Sequence, residues 1–145
     1  MSLPRQRITL VTLGVADMDR AQRFYGGWGW TPHLASQAGV TFYQMNGAVL
    51  ALFGRDDLVA DQGRPGAALG TGAVTLAQNC MDDAETDAVF QAALDAGAMP
   101  MKRPEPTSWG GYSGYVADPD GHVWEIATNP FWPLSPDGSL TLPGT

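Results

Sequence analysis

A single acid within an apolar strand is the clearest candidate for chemistry in this sequence of 145 residues. Glu125 lies between apolar neighbours in residues 123–127. A buried carboxyl group is costly unless it is paired, protonated, bound to a metal or hydrated. Glu125 is therefore interpreted in two ways. It is either a desolvated acid that acts as a general base or grips a cationic or hydroxyl group, or a structural acid held by Thr75, Tyr112 or water.

The other reactive side chains favour structural roles. His122 follows a turn and is expected on the opposite face of its strand from Glu125, while His33 follows a proline. Cys80 is the one cysteine of the sequence, so it forms no intrachain disulfide and is expected to pack as a small core residue. The sequence contains no pattern typical of a Ser/His/Asp triad, a phosphate-binding loop or a dinucleotide-binding site.

The composition argues against several classes of partner. A net charge of −7 with 8 lysine and arginine residues disfavours a nucleic-acid-binding face. No apolar run reaches the roughly 18 residues that span a bilayer, and the first residues lack the apolar stretch of a secretory signal. With a lone cysteine, these features predict a cytoplasmic protein that binds neither nucleic acid nor membrane.

Turn and capping signals divide the chain into the elements that would position Glu125. Residues 118–121, Asp-Pro-Asp-Gly, predict a tight turn between two strands, and Asn46-Gly47 predicts another hairpin. Asp17 and Asp82 are predicted N-caps of two helices. Further strands are predicted near residues 8–15, 30–34, 73–80 and 99–102, and one or two helical turns within residues 55–60.

The order of these elements repeats along the chain. Val11-Thr12-Leu13 recurs as Val74-Thr75-Leu76, at an offset of 63 residues. A βαβββ unit cannot bury its sheet face alone, so two units are expected to pack as halves of one domain. The predicted organisation is an N-terminal lead (1–7), a first module (8–54), a connector (55–72), a second module (73–128), and a tail (129–145) that packs on the domain or on a dimer partner.

These motifs resemble those of the vicinal oxygen chelate superfamily, which includes glyoxalase I, extradiol dioxygenases and bleomycin-resistance proteins. The resemblance covers about residues 8–128 and rests on residues 11–18, on Phe24-Tyr25 and on residues 118–125. It implies an α+β fold in which two paired βαβββ modules form a curled mixed sheet around a cavity, often in a homodimer.

Metal-dependent members of that superfamily take ligands from the first and last strands of each module. The resemblance maps these positions onto Leu10, Ala51 and Glu125, and onto Ala73 or Thr75 depending on register. Leucine and alanine have no donor atoms, and threonine is a poor ligand for a transition metal. No cofactor is therefore expected, and a divalent metal is disfavoured.

Strand pairing at the closing hairpin predicts the neighbours of Glu125. If the turn at residues 118–121 is symmetric, Gly114 lies opposite Glu125 and Tyr112 lies opposite Ala127. Glycine beside the carboxylate would leave room for a ligand. A bulge in the turn would reverse these assignments.

The Asn46-Gly47 hairpin pairs Phe42 with Ala51 and Gln44 with Val49 by the same reasoning. The resemblance places the face that these residues share on the cavity. Trp109 lies on a loop rich in glycine and proline that is expected to close over the cavity mouth. The expected walls are Leu10, Thr12, Phe42, Gln44, Ala51, Thr75, Tyr112 and Glu125.

The preferred hypothesis is a metal-free, glyoxalase-like protein that binds a small, partly apolar molecule around Glu125, the one catalytic candidate. One alternative is a metal-dependent enzyme of the lactoylglutathione lyase or dioxygenase kind. Another is a structural dimer whose cavity is plugged by Phe42 and Tyr112. Fold resemblance decides neither catalysis nor ligand identity. The predicted ligand-binding residues are Thr12, Phe42, Gln44, Thr75, Trp109, Tyr112 and Glu125.

Overall fold

Two mixed sheets and three helices make up the chain in the computed structural model, which describes residues 2–144. The first sheet has the order β1 (Leu10–Val15), β3 (Val49–Gly54), β2 (Val40–Gln44). The second has the order β4 (Thr75–Asn79), β7 (Val123–Thr128), β6 (Tyr112–Ala117), β5 (Met99–Pro106). The helices are α1 (Met18–Gly27), α2 (Arg55–Asp61) and α3 (Asp83–Asp95). This confirms the predicted α+β class.

The two sheets share one pattern of connection. In each sheet the first strand is parallel to the last, β1 to β3 and β4 to β7, and the other pairs are antiparallel. The element order predicted from the repeat is thus present in the second half, and in the first half except for the strand after α1. A strand can be parallel to another only through a crossover connection, which α1 and α3 provide.

One predicted strand is absent from the first half. Residues 30–34 form no strand, so the first sheet has three strands where four were expected. Pro32 has no N–H to donate to a ladder. Trp30 instead stacks on Tyr25, with ring centroids 5.4 Å apart, and so packs against the core.

The helix starts follow the predicted capping residues. The Asp17 side chain accepts a hydrogen bond from the backbone N of Arg20 at 3.1 Å. At α3, Asp82 accepts from the backbone N of Glu85 at 2.8 Å, and Glu85 accepts from the backbone N of Met81 at 3.0 Å. These side chains satisfy backbone donors that have no partner in the first helical turn.

The core lies where α1 and α3 pack on one face of each sheet. Complete burial of a large apolar side chain is worth about 1.5–3 kcal/mol, so this shared cluster is the main stabilising feature. Neither α1 nor α3 covers the opposite faces of the two sheets. None of the helices within residues 2–144 is long and apolar enough to cross a membrane. The core includes Leu13, Val15, Phe24, Tyr25, Leu50, Leu52, Phe90, Val116, Trp124 and Ile126.

A buried hydrogen-bond network joins α1 to the closing turn. The Tyr25 hydroxyl donates to Asp118 Oδ2 at 2.6 Å and accepts from Trp124 Nε1 at 3.1 Å. Asp118 Oδ1 accepts from the backbone N atoms of Asp120 and His122, both at 2.9 Å. Burial, and then the Asp118 carboxylate, raise the pKa of Tyr25 far above its ordinary value, so its phenol remains a donor.

The same turn also connects the two halves of the fold. Asp120 Oδ1 accepts from the backbone N of Ala16 at 2.8 Å and from Arg20 Nη2 at 3.0 Å. His122 Nε2 lies 2.8 Å from the carbonyl oxygen of Gly14. These contacts agree with the structural role predicted for His122.

Candidate functional site

Glu125 lies on the face of the second sheet that α1 and α3 leave uncovered. Its neighbours across the strands are Ala77 on β4 and Tyr115 on β6, and its side chain is half-buried. The predicted pairing of Gly114 with Glu125 is wrong, because Gly114 lies opposite Ile126. Glu125 therefore has a phenol beside it, where open space was expected.

An asymmetric turn explains the shift in register. The backbone N of Asp118 donates to the carbonyl of His122, and the N of Gly121 donates to the carbonyl of Asp118, both at 2.9 Å. Gly121 has φ +89°, a conformation that favours glycine. This is the three-residue hairpin loop with a glycine bulge, and the extra residue moves every cross-strand pair by one position.

Tyr112 consequently leaves the Glu125 face. It lies opposite Thr128, not Ala127 as predicted, and its hydroxyl donates to Asp87 Oδ1 of α3 at 2.6 Å. Tyr112 was predicted to line the cavity around Glu125 and to hold that acid, and both predictions are wrong. The reason is that a shift of one residue in strand register moves each side chain to the opposite face of the sheet.

Tyr115 takes the position opposite Glu125 that was predicted for Gly114. Burial, and then the Glu125 carboxylate, raise the pKa of Tyr115 above its ordinary value. The phenol therefore stays protonated at neutral pH, next to the Glu125 carboxylate. The signal that would have identified Tyr115 is the glycine after Asp-Pro-Asp, since it permits the bulge.

A cavity of ≈ 760 Å³ lies over Glu125. The sheet supplies its floor with Ala77, Asn79, Glu125 and Ala127. Its walls come from Trp109 on the loop before β6 and from the segment that follows β7. The wall residues of that segment are Asn129, Phe131, Trp132, Leu134, Gly138 and Leu140.

The C-terminal segment was predicted to pack on the domain or on a partner, and its contribution to a cavity was missed. One hydrogen bond connects it to the turn between β2 and β3: Asn46 Nδ2 donates to the carbonyl of Asp137 at 3.1 Å. Within the segment, Asp137 Oδ1 accepts from the N and Oγ of Ser139 at 2.9 and 2.7 Å. The hydrogen bonds from Ser139 lower the pKa of Asp137. The sequence signal for a cavity wall in this segment was Phe131-Trp132, two aromatic residues between prolines, and both are exposed in the structure.

The predicted residues of the first sheet lie apart from this cavity. The pairings of Phe42 with Ala51 and of Gln44 with Val49 are confirmed, and Thr12 lies opposite Ala51. They belong to the other sheet, and β1 does not pair with β4. A separate apolar cavity of ≈ 330 Å³ is lined by Thr9, Leu10, His33, Ala35, Phe42, Gln44 and Val49.

An intermediate cavity of ≈ 520 Å³ extends from Gln44 to Ala77 and Asn79 between the sheets. It shares Ala77, Asn79, Leu134 and Gly138 with the cavity over Glu125. Thr75 lies on the same face as Glu125, but it is exposed and two residues before Ala77. Gln44 thus reaches the region between the sheets, while Thr75 lies outside the lining.

The residues at the superfamily's ligand positions do not fit a divalent metal. Leu10 and Ala51 have only carbon side chains, and Ala73 precedes β4. Within residues 2–144 no group of three or more His, Cys, Asp or Glu side chains is placed to hold an ion. One carboxylate, Glu125, is too few donors for tight coordination.

Comparison with solved structures shows a close relative. A glyoxalase-related enzyme from Fulvimarina pelagi is 39% identical, with 97% of this chain and 100% of that chain covered and a TM-score of 0.87. A lactoylglutathione lyase from Agrobacterium tumefaciens is 24% identical, with coverage of 88% and 96% and a TM-score of 0.65. At that identity the second likeness shows the fold alone.

Comparison of sequences gives one match to a family model and short matches to other proteins. A family model described as the Glyoxalase/Bleomycin resistance protein/Dioxygenase superfamily matches residues 7–126. An uncharacterized protein of Mycobacterium bovis is 48% identical over 42 residues, which are 29% of this chain and 28% of that protein. The match therefore spans little more than a quarter of that relative's length.

Proposed function

We propose that this protein, which belongs to the Glyoxalase/Bleomycin resistance protein/Dioxygenase superfamily, binds a small, partly apolar molecule over Glu125 without a bound metal. The observation that carries this proposal is the cavity of ≈ 760 Å³ between the second sheet and the C-terminal segment. Its size and its apolar lining with a few polar groups are typical of small-molecule sites. The polar groups are Glu125, the amides of Asn79 and Asn129, and the indole N–H groups of Trp109 and Trp132.

Glu125 defines the chemistry that this cavity supports. Its carboxylate accepts a proton or a hydrogen bond. Tyr115 lies opposite it on β6 but is not one of the lining residues. A ligand with a hydroxyl or amine group would bind to Glu125 while its apolar part contacts the aromatic walls. A carboxylate in this position also supports proton abstraction from a bound ligand.

The two alternative functions have less support. The names of relatives such as the Agrobacterium tumefaciens enzyme are what favours a metal-dependent lyase, and the side chains at Leu10 and Ala51 oppose it. The plugged structural dimer required Phe42 and Tyr112 in the cavity. Neither residue lines the space over Glu125.

Blocking the cavity floor tests the proposed binding. Ala77 is exposed and lies directly opposite Glu125, so Ala77→Trp places a large ring in the cavity. We expect compounds from a small-molecule screen that raise the Tm of the parent protein to lose that effect in Ala77→Trp. A ligand at 100 times its Kd stabilises the native state by about 2.7 kcal/mol, so the shift is measurable.

The matched control for this screen is Ala60→Trp, an exposed position on α2 outside the cavity. Compounds that bind over Glu125 raise the Tm of this variant as they do for the parent protein. Ligands that stabilise Ala77→Trp fully would place binding elsewhere. A screen without any stabilising compound would also contradict the proposal.

We also propose that the protein is cytoplasmic and forms a dimer. In this dimer a second copy of the chain packs on the face of the first sheet that α1 and α3 leave open. Leu10 is 46% exposed and lines the apolar cavity at Phe42, and Ile8, two residues earlier in the chain, is 69% exposed. Such patches mark interaction sites.

Light scattering tests the proposed dimer. We expect the parent protein to have the mass of a dimer and Leu10→Lys to shift the mass toward that of the monomer. Leu142→Lys on the tail should leave the mass unchanged. A monomeric parent protein would refute the proposal.

A further inference from the structure

We infer that the molecule bound over Glu125 is an organic cation, such as a protonated amine carried on an aromatic or apolar body. This inference rests on the proposed function of the cavity and adds the charge of the ligand. Three observations support it: the uncompensated carboxylate, the aromatic walls and the absence of basic side chains from the lining.

The first observation is the state of the Glu125 charge. Within residues 2–144, no lysine, arginine or histidine forms an ion pair with Glu125. Lys102 lies opposite Tyr115, but its Nζ binds Glu105 Oε1 at 3.2 Å. A positive ligand stabilises a half-buried carboxylate that has no ion-pair partner more than it would stabilise a fully hydrated carboxylate.

The second observation is the set of aromatic rings around the acid. Trp109, Phe131 and Trp132 line the cavity and remain 46%, 62% and 40% exposed. The face of an aromatic ring carries partial negative charge and attracts a cation within about 6 Å of its centroid. Rings and carboxylate together therefore favour a positive group, and Leu134 and Leu140 favour an apolar body next to it.

The third observation concerns what the cavity excludes. None of its lining residues is lysine, arginine or histidine, and the chain has a net charge of −7. An anionic ligand would find only neutral donors, the amides of Asn79 and Asn129 and the indole N–H groups of the two tryptophans, and would be repelled by Glu125. Repulsion of the wrong charge contributes to specificity as much as attraction of the right one.

Three probes of one shape and different charge test this inference. We would titrate 1-naphthylmethylamine, 1-naphthylmethanol and 1-naphthoate into the protein by calorimetry at neutral pH. We expect the amine to bind at least about tenfold more tightly than the alcohol, and the naphthoate to bind weakest. In Glu125→Gln the amine loses about tenfold in affinity, whereas the alcohol is unchanged.

Asp61→Asn is the control for overall charge. Asp61 is exposed at the end of α2, outside the cavity, and this substitution changes the net charge by the same amount as Glu125→Gln. It should leave all three affinities as in the parent protein. Equal loss of amine binding in both variants would assign the preference to the whole protein's charge and overturn the inference.

The remaining outcomes separate this inference from the proposed function. If the amine and the alcohol bind equally and Glu125→Gln weakens neither, the cation assignment is refuted and cavity binding stands, provided that Ala77→Trp abolishes both. If no probe binds and the thermal screen finds no compound, both proposals are refuted.

Discussion

Asp118→Ala should lower the free energy of unfolding by about 3–5 kcal/mol. The Asp118 side chain is nearly completely buried and accepts hydrogen bonds from the Tyr25 hydroxyl and from the backbone N atoms of Asp120 and His122. Its removal leaves these donors unpaired, and an unpaired buried donor costs about 1–3 kcal/mol. Urea unfolding measures the loss directly.

Asp137→Ala is a matched control because Asp137 makes the same kind of local bond. Its Oδ1 accepts from the backbone N two residues ahead, at 2.9 Å, as Asp118 does, but Asp137 is exposed. We expect a loss below about 1 kcal/mol, since water replaces the lost acceptor. Similar losses in the two variants would show that the turn contributes local stability alone and that the network with Tyr25 adds nothing.

Gly114→Ala should destabilise the protein by about 2–3 kcal/mol. A Cβ at this position would lie 2.8 Å from the carbonyl oxygen of Lys102 and 2.8 Å from the N of Pro104. Both are backbone atoms, so no rotamer change relieves the clash. The contact arises where β5 changes register against β6, between Lys102 and Glu105.

Gly26→Ala is the control for the substitution itself. Gly26 lies in α1, and no atom outside its own helical turn lies within 4 Å of the position that an alanine methyl group would take. Alanine favours the helix over glycine by up to about 1 kcal/mol, so this variant should be as stable as the parent or more stable. Unfolding curves for Gly114→Ala that match those of the parent protein would contradict the backbone clash.

Local signals predicted much of the fold. Asp17 and Asp82 begin the helices where their side chains satisfy backbone donors of the first turn, which depends on neighbours within three or four residues. The register predicted for the Asn46-Gly47 hairpin is confirmed, because a two-residue loop allows only one way of pairing the two strands. The predicted strand at residues 30–34 is wrong: Pro32 has no N–H to donate to a ladder, and Trp30 packs on Tyr25.

The closing turn shows the limit of such reasoning. Asp-Pro-Asp-Gly is compatible with a symmetric turn and with a three-residue loop that ends in a glycine bulge. Contacts distant in sequence favour the second form: Asp120 binds Ala16 and Arg20, and His122 binds Gly14. The three-residue loop places Tyr115 opposite Glu125 and puts Tyr112 on the other face of the sheet.

By itself, the sequence determined the class of fold, most of the repeated order of elements, and the placement of one acid within an apolar strand. These features follow from caps, turns and apolar periodicity, which act over a few residues. Only the tertiary structure decided which side chains surround that acid. The walls come from Trp109 and from a C-terminal segment held by Asn46, and a contact across that chain distance depends on packing, which short-range patterns do not encode.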